Sequence, residues 1–142
     1  CEPRPDPLPI IMIGGDGERH LLRAVAQHAD WWNCVPRPTP LLQHKLDVLR
    51  EHCSAVGRDY DSIRKTLMLR VFLGPTKAAA EARAGSFASA EQPPFIGEPA
   101  ALIDYLNELH DIGFDLFQFA LPGFPDTDDM QLLVDKVMPA FR

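Results

Sequence analysis

The sequence carries no excess of positive charge. Fourteen Lys and Arg stand against 20 Asp and Glu, a net charge of −6. The two signs are interspersed, with no basic stripe and no RNA-binding motif, so a nucleic-acid partner is not expected. Long apolar runs are missing as well. None approaches the roughly 20 residues that span a bilayer, and no stretch reads as a signal peptide; no membrane partner is expected. Cysteine is sparse: Cys1, Cys34 and Cys53 are odd in number and widely spaced. That predicts free thiols in a reducing compartment, the cytoplasm, rather than a disulfide framework. Metal-ligand spacing is absent too. His20 and His28 lie eight apart, as do His44 and His52, and there is no His-Glu-x-x-His. No metal site follows, and most histidines are expected on solvent-facing helix positions. No motif points to covalent catalysis.

What is present is ordinary globular material: 46% hydrophobic and 24% charged residues over 142 positions, enough for one modest domain with a core. The most informative stretch is Pro9-Ile10-Ile11-Met12-Ile13-Gly14-Gly15-Asp16-Gly17-Glu18-Arg19. An uninterrupted apolar run at 10–13 reads as a parallel strand covered on both faces. It stops at two glycines, a third follows, and a helical pattern begins. Two readings stand for this turn. One is a tight strand-to-helix connection that needs glycine only for its backbone. The other is an anion site in which N–H groups approach a phosphate next to a helix start. Upstream, Pro3, Pro5, Pro7 and Pro9 alternate with other residues, which predicts an extended connector at 1–9 and further chain before it.

The rest alternates strand and helix. Residues 18–28 form a helix with Leu21, Leu22, Val25, Ala26 and Ala29 on one face, and 30–35 a second strand closed by Pro36 and Pro38. The clearest helix is 40–56, with Leu42, Leu46, Leu49, Cys53 and Val56 on its apolar stripe, Thr39 as N-cap and Gly57 as C-cap. A third strand is expected at 66–73 and a short alanine-rich helix at 77–84. Residues 85–97 read as an irregular loop, since Pro93-Pro94 opposes regular structure. A helix at 98–111 turns Leu102, Ile103, Leu106 and Leu109 inward, and a fourth strand covers 114–121. The last helix, 126–141, carries Met130, Leu133, Val134, Val137, Met138 and Phe141 on one face. Its start holds an acidic cluster of Asp126, Asp128 and Asp129, which the helix dipole favours. Four strand–helix units imply parallel strands with right-handed crossovers. Two architectures fit: a small doubly wound sheet, or half of an eight-stranded barrel of roughly 250 residues.

The residues also carry a resemblance. The Pro9–Arg19 run, then Leu21-Leu22-Arg23, then Ala29-Asp30-Trp31-Trp32-Asn33 resembles the second half of the luciferase-like monooxygenase superfamily. Lys45 to Cys53, with Val56-Gly57-Arg58-Asp59, is similar to its branch that depends on the deazaflavin coenzyme F-420. The likeness continues through Ile96-Gly97-Glu98-Pro99, Gly113-Phe114-Asp115 and Val137-Met138-Pro139-Ala140-Phe141-Arg142. It implies an α/β fold of four βα units forming the C-terminal half of a TIM (β/α)8 barrel, treated as a single domain over 1–142. It implies an oxidoreductase that transfers hydride with coenzyme F-420. The alternatives are an FMN-dependent monooxygenase using reduced flavin and oxygen, or a catalytically silent half-barrel that associates with a partner half. Trp31 departs from the family's Ala-Asp-Gly-Trp, where glycine is usual, and that implies a different local backbone and a narrower neighbouring pocket.

Under this resemblance the cofactor-binding candidates are Ile13, Gly14, Gly15, Asp16, Gly17, Arg19 and Asn33. Gly14 and Gly15 would act through backbone N–H groups. Asp16 and Gly17 would shape the turn, Asp16 by capping the helix or accepting from a hydroxyl. Arg19 would add a cation, although at a first helical turn such a side chain more often faces solvent. Trp32 reads as packing between barrel and helices, and Asn33 as a polar contact. Gln118 reads equally as facing the cofactor or as a satisfied core amide. The implied partners are a small-molecule substrate and either a second copy of the chain or the missing amino-terminal half.

Overall fold

The computed structural model describes residues 2–89, 94–123 and 125–142; Cys1 and Pro93, singled out above, lie outside them. The chain forms two compact units, residues 1–67 and 68–142.

In the first unit, residues 2–9 enter no helix or strand. Strand β1 (Met12–Gly14), helix α1 (Leu21–His28), strand β2 (Trp31–Cys34) and helix α2 (Thr39–Val56) follow in order. A 3-10 turn (Tyr60–Ser62) then leads into β3 (Arg64–Leu73), whose first four residues belong to this unit. β1 runs parallel to β2, Ile13 opposite Trp32 and Gly14 opposite Asn33. β2 runs parallel to β3, Asn33 opposite Thr66. α1 buries Leu22, Val25 and Ala26, and α2 buries Leu42, Leu46, Leu49 and Cys53. Each such leucine contributes about 1.5–3 kcal/mol by leaving water. α2 ends in a Schellman motif: Gly57 adopts φ 71°, and the Arg58 and Gly57 N–H groups donate to Cys53 O and Ser54 O.

Three expectations change here. The apolar run at 10–13 is not covered on both faces: Ile10 and Ile11 are 59% and 52% exposed. The reason is position, because β1 stands at the end of the strand order and, among the described residues, pairs only with β2. Thr39 is the first helical residue rather than the cap; Pro38 takes the cap position, and its carbonyl accepts from the Leu41 and Leu42 N–H groups. Val56, at the frayed last turn of α2, is exposed.

The second unit holds the rest of β3, helix α3 (Lys77–Ala84), a 3-10 turn (Gly85–Ser89) and strand β4 (Phe95–Gly97). Helix α4 (Pro99–Asp111), strand β5 (Leu116–Ala120) and helix α5 (Asp128–Leu132) follow. α5 passes into a π-turn (Leu133–Val137) and a closing 3-10 turn (Met138–Phe141). The alanine-rich helix has its expected limits, because the Thr76 hydroxyl caps it by accepting from the Ala79 N–H. α4 turns Leu102, Leu106 and Leu109 inward, with Ile103 half-buried. The 85–97 loop is less irregular than expected. Phe95–Gly97 pairs in parallel with Val71–Leu73 as a fifth strand, and β5 also pairs with β3. The last helix is shorter than expected: of its six-residue stripe only Leu133 and Val137 are buried. Parallel strands alternating with helices make this an α/β fold. Among the described residues no helix is long and apolar enough to cross a membrane.

Candidate functional site

The residues predicted to act together meet at the turn between β1 and α1, inside the first unit. Gly15 has φ 121°, a conformation that L side chains rarely adopt. A Cβ built there would lie 2.7 Å from Leu21 Cδ1, the mobile end of a side chain that would have to turn aside, so the backbone conformation is what favours glycine. Both backbone polar groups of Gly15 point to β2. Its N–H donates to Asn33 O at 2.9 Å, and its carbonyl accepts from the Trp32 indole Nε1 at 2.7 Å. Asn33 is steadied in turn, its Oδ1 accepting from Thr66 Oγ1 at 3.1 Å.

This corrects one expectation. The Gly15 N–H completes the strand ladder and is not offered to a ligand. The next amides, of Asp16, Gly17 and Glu18, make no hydrogen bond among the described residues, and neither do those of Arg19 and His20 that follow. They precede α1, whose first-turn N–H groups carry the positive end of the helix dipole, about half an elementary charge. Gly14 is exposed and a Cβ there would meet only Asn33 O, at 3.9 Å, while Ile13 is half-buried opposite Trp32.

The charges around the turn pair off. Asp16 does not cap α1; its Oδ2 accepts from Arg37 Nε at 2.9 Å. Glu18 Oε1 lies 2.6 Å from Lys45 Nζ and 3.3 Å from His44 Nε2. The Lys45 hydrogen bond, with the nearby Lys45 and His44 charges, holds Glu18 below the usual carboxylate range. His52 Nε2 sits 2.8 Å from Glu18 O, tying the turn to α2 a second time. With both carboxylates paired, the turn does not repel an anion. Arg19 is exposed and enters no ion pair among the described residues. Cys34, at the end of β2, is buried, and burial pushes its thiol up to about 12, with the Asp16 charge adding to the effect; it is no nucleophile.

Trp32 is fully buried, as the packing reading requires, but its polar end also grips the turn. Trp31, where glycine was usual, sits in a regular strand; among the described residues none other than glycine has positive φ. Its ring lies 5.4 Å from the Arg64 guanidinium. Arg37 was not foreseen. Its signal lay in Pro36 and Pro38, which hold the segment extended as it leaves β2.

A second polar cluster lies in the second unit. Arg83 reaches Asp126 Oδ2 at 3.0 Å, Asp128 Oδ2 at 3.1 Å and Asp129 Oδ1 at 3.3 Å. Asp129 is buried, and its Oδ1 also accepts from the Leu73 N–H at 2.8 Å. The acidic cluster is therefore a clamp built on Arg83, not only a dipole partner. Among the described residues no group of His, Cys, Asp or Glu is arranged to hold a metal ion. Gln118 is half-buried in β5.

Comparison with known proteins adds the family. The family model described as luciferase-like monooxygenase matches residues 1–116. No curated protein sequence matches significantly. Among solved structures, DmoA from Hyphomicrobium sulfonivorans superposes with a TM-score of 0.76 at 20% identity, over 100% of this chain and 43% of that one. The coenzyme F420-dependent tetrahydromethanopterin reductase from Methanopyrus kandleri gives 0.73 at 14% identity, over 94% and 51%. The FMN complex of a type II Baeyer–Villiger monooxygenase of Pseudomonas putida gives 0.68 at 15%, over 93% and 49%. The chain thus spans about half the length, or less, of the structures it matches, and the likeness fixes the fold: that of part of the luciferase-like TIM barrels. With the family match covering most of its length, the chain belongs to the luciferase-like monooxygenases.

Proposed function

We propose that this chain supplies the phosphate-binding part of an oxidoreductase that uses the deazaflavin coenzyme F-420 to exchange hydride with a small-molecule substrate. The observation that carries the reading is the unbonded amides of Asp16, Gly17 and Glu18 in the open turn before α1, following a glycine whose backbone conformation L side chains rarely adopt. A phosphate-bearing cofactor tail fits this turn: the amides donate, the helix dipole attracts, and the two nearby carboxylates are already paired. Gly14 leaves the approach open, Asn33 fixes the turn from β2, and Arg19 adds a cation at its rim while Arg37 offsets Asp16. When bound, the cofactor supplies the redox chemistry, and the protein supplies its position and its electrostatic surroundings. Preference for the deazaflavin rests on the similarity of Lys45 to Cys53 and of 56–59 to the F-420-dependent branch.

A second reading is a monooxygenase using reduced FMN and oxygen. It is favoured by the FMN complex among the structural neighbours. The turn serves either cofactor, since both carry a phosphate. Titration of the full chain with each cofactor, followed by quenching of its tryptophans, separates the two. Binding of F-420 that inorganic phosphate competes away is the expected result. Tight binding of FMN with none of the deazaflavin overturns the preference, and binding of neither leaves the silent half-barrel as the better description.

A further inference from the structure

Gly15 O and Asp16 N–H belong to one peptide unit. In a planar trans peptide the carbonyl and the N–H point in opposite directions. The Gly15 carbonyl points at the indole nitrogen of Trp32, a side chain with no exposed surface. The Asp16 N–H on the same unit is therefore turned away from that buried ring, toward the open side of the turn. Reversing the unit would point the carbonyl outward, where it would repel an anion, and would hide the N–H. Such a reversal rotates ψ of Gly15, which glycine permits, and φ of Asp16, whose preference for negative φ opposes it. The Trp32 hydrogen bond adds a second restraint on the same unit. The Gly15 N–H bond to Asn33 O fixes the preceding peptide, not this one.

We propose that Trp32 is a positioning residue for anion recognition: its indole N–H locks the Gly15–Asp16 peptide in the orientation that presents the Asp16 amide to a phosphate. The inference rests on the reading of this turn as the phosphate site and adds a residue that acts through the backbone without touching the ligand. It also gives Trp32 a task beyond filling volume. Phenylalanine keeps an aromatic ring there but is smaller and lacks the donor, so it leaves a small cavity and a part-buried carbonyl without its partner.

The test is a titration of the full, 15N-labelled chain with inorganic phosphate and with FMN, in the natural sequence and as Trp32→Phe, followed by amide resonances. In the natural sequence the Asp16, Gly17 and Glu18 amides are expected to shift together. In Trp32→Phe the Gly17 and Glu18 responses are expected to persist, the Asp16 response to vanish, and affinity to fall about tenfold, as for one lost hydrogen bond to a charged group. A merely structural role for Trp32 would weaken all three responses alike. Equal responses and equal affinity in both proteins overturn the inference and leave the site reading standing. No response of the three amides in the natural sequence overturns the site reading itself. Should Trp32→Phe fail to fold, the unsubstituted protein still decides. The Trp32 indole resonance is expected to move with the same midpoint as the Asp16 amide, and an indole signal unmoved at saturation sinks the proposal.

Discussion

At Gly15 the demand on the backbone is stronger than at Gly57. Both glycines have positive φ, 121° and 71°, but only Gly57 lies near the left-handed helical region that other residues sometimes reach, and a Cβ at Gly15 would also turn Leu21 aside. Gly57→Ala is therefore expected to cost about 1 kcal/mol, and Gly15→Ala about 2–4 kcal/mol. Urea unfolding of the two variants checks this. Equal losses would mean that the turn relaxes to accept a side chain at Gly15. Cysteine reactivity is a second property set at single residues. Cys34 is pushed up to about 12 by burial, and burial also raises Cys53. With Cys1 replaced by Ser, the native chain at pH 8 is expected to react with a disulfide reagent only at the rate of unfolding, and fast labelling of either thiol would contradict its placement.

Between elements, the turn before α1 is fastened to α2 through Glu18 and Lys45. Because the folded protein holds Glu18 below the usual carboxylate range, the pair adds stability above the unfolded pKa, about 4.3. That stability disappears as pH falls through the lowered folded value. The melting temperature of Glu18→Gln should therefore lie below that of the natural chain near neutrality and converge with it in acid. A gap that stays constant to pH 3 would count against the pairing. The clamp in the second unit allows a sharper expectation. Arg83→Ala leaves Asp129 buried beside the Leu73 N–H with its ion-pair partner gone, at a cost of about 3 kcal/mol. Adding Asp129→Asn should recover part of that loss, and strict additivity of the two would mean that they do not interact.

Elements of this kind differ in how far the sequence betrays them. α3 was legible to the residue because Thr76 and Gly85 punctuate it, and α2 because its leucines recur over four turns. β4 was not, since three residues between prolines and glycines carry no period to read. The last helix misled for a geometric reason. The stripe Met130 to Phe141 keeps α-helical spacing, but the backbone widens into a π-turn at Leu133–Val137 and tightens at Met138. The phase slips, and Met130, Val134 and Phe141 come to the surface. At the site, the glycines announced themselves locally. The Trp32 and Arg37 contacts join residues 17 and 21 positions apart and left no mark in any short window.

For the molecule as a whole, the apolar residues at the surface are the best guide to behaviour in solution. The first unit exposes Ile10 and Ile11, which lead into β1, and Met12 within it, and among the described residues β1 pairs only with β2. The second exposes Met130, Val134, Met138 and Phe141, and a cavity of about 220 Å³ opens between Phe117, Phe119, Leu133 and Val137. The structures it resembles carry about as much chain again. An unpaired strand edge and apolar patches both favour association, and a stable interface needs about 1,600 Å² of buried surface. The isolated chain is therefore expected to self-associate, or to bind a chain that supplies the complementary half, with sedimentation velocity showing species above 15.9 kDa that grow with concentration. Ile10→Lys and Phe141→Lys, both at exposed positions, should each weaken association while leaving the circular dichroism spectrum intact. A single 15.9 kDa species at every concentration, in the natural chain and both variants alike, would show that these surfaces are tolerated in water as they stand.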